Sequence, residues 1–167
     1  MKLAAKLRRP VSVHCVNQHG VFVSVIKELL LEESTTKDTT DKFPTAIAMH
    51  SFTGTAHHVK ELLTLEKQIT LDGPLFYFGF SHAVNFAMCT SEKSRRKGRE
   101  AVRAVPKDRL LVESDVHATS ELLLGTAGAI SYVAHSTQID IIDIAKLTTR
   151  NGLAFLTSFP EQSETSK

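Results

Sequence analysis

Apolar residues along this chain fall into two alternating periods. Short apolar runs at Val11–His14, 45–50, 75–80 and 110–115 have the length and composition of buried strands. Between them, apolar positions recur at helical spacing: Phe22, Val25, Ile26, Leu29 and Leu30, then Val59, Leu62 and Leu63. Segment 31–41 is polar and aperiodic and reads as a surface loop. Ser81, His82 and Asn85 fall in a loop after the third strand, and a basic helix spans 92–104 until Pro106-Lys107-Asp108 stops it. A glycine-containing loop follows the fourth strand. Thr137-Gln138-Ile139-Asp140 then reads as a capping box that opens a helix with Ile141, Ile144 and Ala145 inward, continued through 150–156.

Strands that alternate with helices predict an α/β fold with a parallel sheet. Four such units make either a small open sheet or half of an eight-stranded barrel, and periodicity does not separate the two. Three of the runs end on residues that bind metals: His14, His50, and Glu113-Ser114-Asp115. Barrel enzymes gather their chemistry at the carboxyl ends of strands, and two imidazoles with a carboxylate suit a divalent ion.

Composition narrows the partners. The 167 residues suffice for one domain with a core, and a formal charge of +2 gives no global pull toward nucleic acid or membrane. No apolar run reaches the roughly 20 residues needed to span a bilayer, and MKLAAKLRRP lacks the apolar centre of a secretory signal. Cys15 and Cys89 have no metal-type spacing and read as reduced thiols of an intracellular protein, cytoplasmic or nuclear. On a strand, the Cys15 side chain points away from that of His14, which favours packing over reactivity.

Five segments carry a resemblance. Pro10-Val11-Ser12-Val13-His14-Cys15, His50-Ser51-Phe52-Thr53-Gly54, Tyr77-Phe78-Gly79-Phe80-Ser81, Leu110-Leu111-Val112-Glu113-Ser114-Asp115 and Thr148-Thr149-Arg150-Asn151 with Phe155 stand in the order found in TatD-like metal-dependent deoxyribonucleases. The wording of 77–81 resembles the eukaryotic, fungal branch most. The resemblance implies a hydrolase of phosphodiester bonds, a DNase, on a TIM-type (β/α)8 barrel with two divalent ions (Mg, Mn or Zn). It implies that His14 and His50 hold one metal. Asp115 binds the other and orients or deprotonates the attacking water, and Glu113 supports them from behind.

The resemblance is to four βα units only, the carboxyl-terminal half of the barrel over residues 1–157, with 158–167 a polar tail. The family's opening His-x-His pair has no counterpart here, since His57 and His58 are adjacent, and neither does its Gly-Glu motif. Residues 1–9 resemble the end of the family's fourth helix. The expectation is therefore a truncated hydrolase that is inactive alone. The alternative is a catalytically dead remnant that serves as a protein-interaction module, or an incomplete gene model. A complete small α/β binding protein with coincidental motifs is the least favoured reading. His57, His58, His117 and His135 are expected on the surface or in loops. The Phe76-Tyr77-Phe78 cluster is expected to be packing, and the basic segment 93–99 to be a solvated outer helix face.

Overall fold

The computed structural model describes residues 1–32, 42–69, 71 and 73–158. After a short helix α1 (Lys2–Lys6), the chain runs β1 (Val11–His14), α2 (His19–Leu31), β2 (Ile47–His50), α3 (Ala56–Glu66) and β3 (Phe76–Ser81). It continues through a π-helical turn (Ala83–Ala87), α4 (Glu92–Ala104), β4 (Leu110–Glu113), α5 (Leu122–Thr137) and α6 (Ile141–Leu156). The four strands are all parallel in the order β1-β2-β3-β4. Among the described residues, β1 and β4 each have a strand neighbour on one edge only. No described helix is long and apolar enough to cross a membrane.

Alternation along the strands gives the sheet two different faces. Ile47, Met49, Phe76, Phe78, Phe80 and Leu110 point to the helices and form the main core with Val23, Ile26, Val59, Leu62, Val102 and Val133. Each is nearly or fully removed from water. Truncating one such phenylalanine to alanine costs about 3–5 kcal/mol. Cys15 packs against this core, on the opposite side of the strand from His14. Glu66 fastens the sheet's entrance: its carboxylate accepts from the backbone N–H groups of Leu75 and Phe76 and pairs with Arg109 at 2.9 Å.

The opposite face is apolar at the amino ends of the strands and polar at their carboxyl ends. Ala46, Ala48, Tyr77 and Leu111 form a small separate cluster, closed by Phe155 from the end of α6 at 5.6 Å from Tyr77. Asn151 is buried and donates to the carbonyls of Lys107 and Leu110 at 2.7 and 2.9 Å, tying α6 to the start of β4. The carboxyl ends of the same face present His14, His50, Ser81 and Glu113.

Several expectations need correction. The segment expected as a glycine-containing loop contains α5, a 16-residue helix. Its packing face is small: a Cβ on Gly125 would stand 3.0 Å from the Ser114 carbonyl, and one on Gly128 would stand 2.9 Å from the His82 ring. These glycines serve close approach rather than a turn, which hides the helical period. Thr137 is no cap. Gln138 ends α5 in the left-handed region, and Asp140 caps α6 by accepting from Ile142 N–H at 2.8 Å.

Inward faces also rotate from those expected. In α2, Val23, Ile26 and Leu29 are buried while Val25 is exposed; in α6, Ile144, Thr148 and Asn151 are buried while Ile141 is exposed. Both helices have apolar residues on more than one face, and packing selects among them. The third strand is shifted one residue to Phe76–Ser81, β2 starts two residues later than expected, and β4 ends at Glu113 rather than Asp115. Most of loop 31–41 and of tail 158–167 lies outside the described residues, although Leu31 ends α2.

Candidate active site at the carboxyl ends of the strands

Parallel register places the candidate residues side by side. His14 on β1 is directly opposite His50 on β2, with ring centroids 5.6 Å apart. Ser81 on β3 is directly opposite Glu113 on β4. His50 lies between two carboxylates: its Nδ1 is 2.8 Å from Glu113 Oε2 and its Nε2 is 3.4 Å from Asp115 Oδ1. A carboxylate on one ring nitrogen fixes the ring's orientation and the tautomer it presents with the other.

Ser51 binds this cluster together. Its backbone N–H donates to Glu113 Oε2 at 2.8 Å. Its hydroxyl lies 3.1 Å from Glu113 Oε2, 3.0 Å from Asp115 Oδ2 and 3.0 Å from Ser81 Oγ. A hydroxyl has one proton to give, so Ser51 serves one carboxylate at a time. Asn85 sits behind the cluster and joins two strand ends: Ser81 N–H donates to its Oδ1, and its Nδ2 donates to the Phe52 carbonyl, both at 2.8 Å.

Backbone conformation is unusual at two of these residues. Ser51 has φ 39° and Asp115 φ 50°, both in the left-handed region that non-glycine residues enter at a cost of order 1 kcal/mol or more. Because β4 ends at Glu113 and Asp115 lies in this turn, the two carboxylates do not share a strand face by simple alternation. Both nevertheless reach His50, one on each ring nitrogen.

Electrostatics differ across the group. Burial raises the Glu113 pKa above the ordinary carboxylate value, and the nearby Asp115 charge adds to this. The Ser51 backbone N–H, the His50 ring and the Ser51 hydroxyl oppose the rise. Glu113 thus has the partners of a positioning group and the environment of a reluctant anion.

His14, His50 and Asp115 fit a divalent ion in kind and in neighbouring pairs, though not in number. Among the described residues no three His, Cys, Asp or Glu side chains converge closely enough to hold a metal ion. One nitrogen of His50 is already committed to Glu113. As they stand, these three donors need others to complete a coordination shell.

Other expected residues sit apart. His57, His117 and His135 are exposed as expected, whereas His58 is half-buried and forms a reciprocal cap with Thr55 at the start of α3. His58 also stacks on His19 at 5.3 Å, and the buried Nε2 of His19 has no hydrogen-bond partner. The sequence assigned no role to His19, Ser51, Ser81, Asn85 or Gly79, although Ser81 and Asn85 were read as residues of the loop after the third strand. Ser51, Ser81 and Gly79 stand inside the quoted motifs, and that adjacency was the available signal.

Comparisons with known proteins agree with the motif order. The family model described as TatD related DNase matches residues 1–156. Among curated relatives, a 3'-5' ssDNA/RNA exonuclease TatD of Klebsiella pneumoniae is 30% identical over 115 residues, covering 69% of this chain and 34% of that protein. The Cut9-interacting protein scn1 of Schizosaccharomyces pombe is 28% identical over 140 residues, covering 73% of this chain and 38% of its own length. The uncharacterized metal-dependent hydrolase YabD of Bacillus subtilis is 27% identical, with 89% and 51% covered. This chain therefore spans about a third to a half of the relatives it matches.

Solved structures are similar in fold. The TatD homologue YJJV of Escherichia coli superposes with a TM-score of 0.60 at 17% identity, over 95% of this chain and 54% of that one. An uncharacterized amidohydrolase from Saccharomyces cerevisiae gives 0.59 at 16% identity, over 90% and 54%. With the family model covering 1–156, this chain belongs to the TatD related DNase family.

Proposed function

We propose that this chain forms the carboxyl-terminal four βα units of a TatD-type barrel, and that it supplies His14, His50 and Asp115 to a metal-dependent phosphodiesterase site acting on DNA. The observation that carries this reading is His50, held between Glu113 and Asp115 with His14 directly across the register. The half-barrel reading draws on the two single-neighbour strand edges and on the 54% coverage of both solved relatives.

Each residue has a task that follows from its contacts. Glu113 orients the His50 ring through Nδ1, which turns Nε2 toward Asp115. Asp115, steadied by Ser51, orients or deprotonates an attacking water in this reading. His14 widens the donor set on the β1 side. Divalent ions bound here would lower the pKa of a bound water and stabilise the leaving oxygen, with further donors completing the shell.

The test is metal content and cleavage of single-stranded DNA by the purified chain, with and without Asp115→Asn. Removing a general base costs about 10²–10⁴-fold in rate. The expected result is metal binding by the chain that His50→Ala weakens, with any cleavage lowered by that factor in Asp115→Asn. Cleavage that survives unchanged in both Asp115→Asn and His50→Ala would falsify the residue assignment. A folded chain that binds neither metal nor DNA points instead to a remnant retained for protein interaction.

A further inference from the structure

The carboxyl-end face extends sideways into a second concavity. A cavity of about 390 Å³ lies beside the Asp115 turn, lined by Ser114, Val116, His82 and Gly128 among others. His82 and Gly128 also line a neighbouring cavity of about 410 Å³ between α4 and α5, whose other walls are Phe86, Arg99, Ser131, Tyr132 and His135. The two share His82 and Gly128 as lining, so the space beside Ser114 and Val116 adjoins the space between the helices. Gly128 leaves room there, since a Cβ on it would collide with the His82 ring.

Its chemistry is aromatic and cationic together. Phe86 is 41% exposed, unusual for a phenylalanine, and stands 5.1 Å from the His82 ring and 6.4 Å from Tyr132. Arg95 lies over Phe86 at 5.1 Å, and Arg99 enters the cavity wall from the same helix. Helix α4 carries six Lys or Arg against two Glu. Arg99 is held by one of these, Glu92, at 2.7 Å, and that glutamate is itself 75% exposed. An ion pair so open to solvent is strongly screened and exchanges readily for a stronger anion. The expectation of a solvated outer face therefore holds for much of α4 but not for Arg99.

We propose that this cavity is a subsite for one nucleotide of a single-stranded nucleic acid, with the base against Phe86 and His82 and its phosphate on Arg99 in place of Glu92. This rests on the nucleic-acid reading above and deepens it by placing the strand's path outward from Asp115. Pockets of about 300–1,000 Å³ are of ligand size, and base–aromatic contact with phosphate–arginine pairing is the general chemistry of single-strand binding.

The test uses the full chain with EDTA present, so that binding is read without cleavage. The probe is a labelled thymidylate strand about eight nucleotides long, compared by anisotropy with an abasic strand of the same length. Wild type is expected to prefer the base-bearing strand by about fivefold or more, and Phe86→Leu to erase that preference. Arg99→Gln weakens both strands and lowers the logarithmic salt slope by about 0.7. Glu92→Gln, which frees Arg99, tightens both by about two- to fivefold. Circular dichroism establishes that each variant is folded. Base preference that persists in Phe86→Leu, or affinities unmoved in both Arg99→Gln and Glu92→Gln, overturns the subsite and leaves the proposed function standing. Failure of the wild-type chain to bind either strand also overturns the subsite.

Discussion

Gly79 and Glu113 meet so closely across the β3–β4 pair that a Cβ on Gly79 would stand 1.9 Å from Glu113 Oε1. Gly79 has no positive φ, so its role is room rather than backbone freedom. The space it leaves is where the Glu113 carboxylate reaches His50 and Ser51.

Gly79→Ala should therefore act through Glu113. The displaced carboxylate loses the Ser51 N–H and His50 contacts, at a cost of about 1–3 kcal/mol. In a double-mutant cycle with Glu113→Ala, measured by denaturant unfolding, the two changes should couple by more than about 0.5 kcal/mol. Strict additivity sinks this account.

Ser51→Ala removes a hydroxyl that touches Glu113, Asp115 and Ser81 together. It also leaves a left-handed backbone at residue 51 with no side-chain bond to hold it. The expected loss is about 1–3 kcal/mol in chemical unfolding, with Ser51→Gly losing less because glycine favours that φ. Equal losses for alanine and glycine would show that backbone strain contributes nothing.

Asn151 is buried and donates to two carbonyls at the entrance to β4. Asn151→Ala removes both bonds and should cost about 1–3 kcal/mol. In a domain of this size that corresponds to a fall in Tm of about 2–4 °C per kcal/mol, readable by calorimetry. An unchanged Tm would mean that α6 is held by its apolar contacts alone.

His19 sets a pH dependence. Burial, then the neighbouring His58, lowers its pKa below the ordinary histidine value of 6.5. The unfolded chain therefore binds a proton more readily than the folded one, and the stability difference increases with pH across this window. The contribution is fully present above about pH 6.5 and is lost as pH falls through the lowered folded value. His19→Phe, which keeps a ring at this buried position, should flatten the change in unfolding free energy between pH 7.5 and 5.5. A variant with the wild-type slope would place the titrating group elsewhere.

Much of the architecture was legible because its signals are local. Strand β1 and helix α4 have the bounds read from apolar runs and from a charge-rich stretch that Pro106 ends. Helix α5 escaped notice because its packing face uses Gly125, Gly128 and Ala129, while Leu122, Leu123 and Leu124 face solvent. That inverts the pattern from which helices are read. The motif order around His14, His50, Glu113 and Asp115 pointed to the site, since residues that end parallel strands fall at one end of the sheet.

The sequence by itself determined the alternation of strand and helix, the family, and which end of the strands would carry polar chemistry. These follow from periodicity and from residues adjacent in the chain. Tertiary structure alone decided that Glu113 and Asp115 grip opposite nitrogens of one histidine, that Gly79 makes room for this, and that Ser51 ties the carboxylates together. Each depends on contacts 30 or more residues apart in sequence, set by strand register and by left-handed turns after the strands. Local propensity does not encode such distances. The strand ends were visible in the chain, and what they hold became visible only when the sheet brought them together.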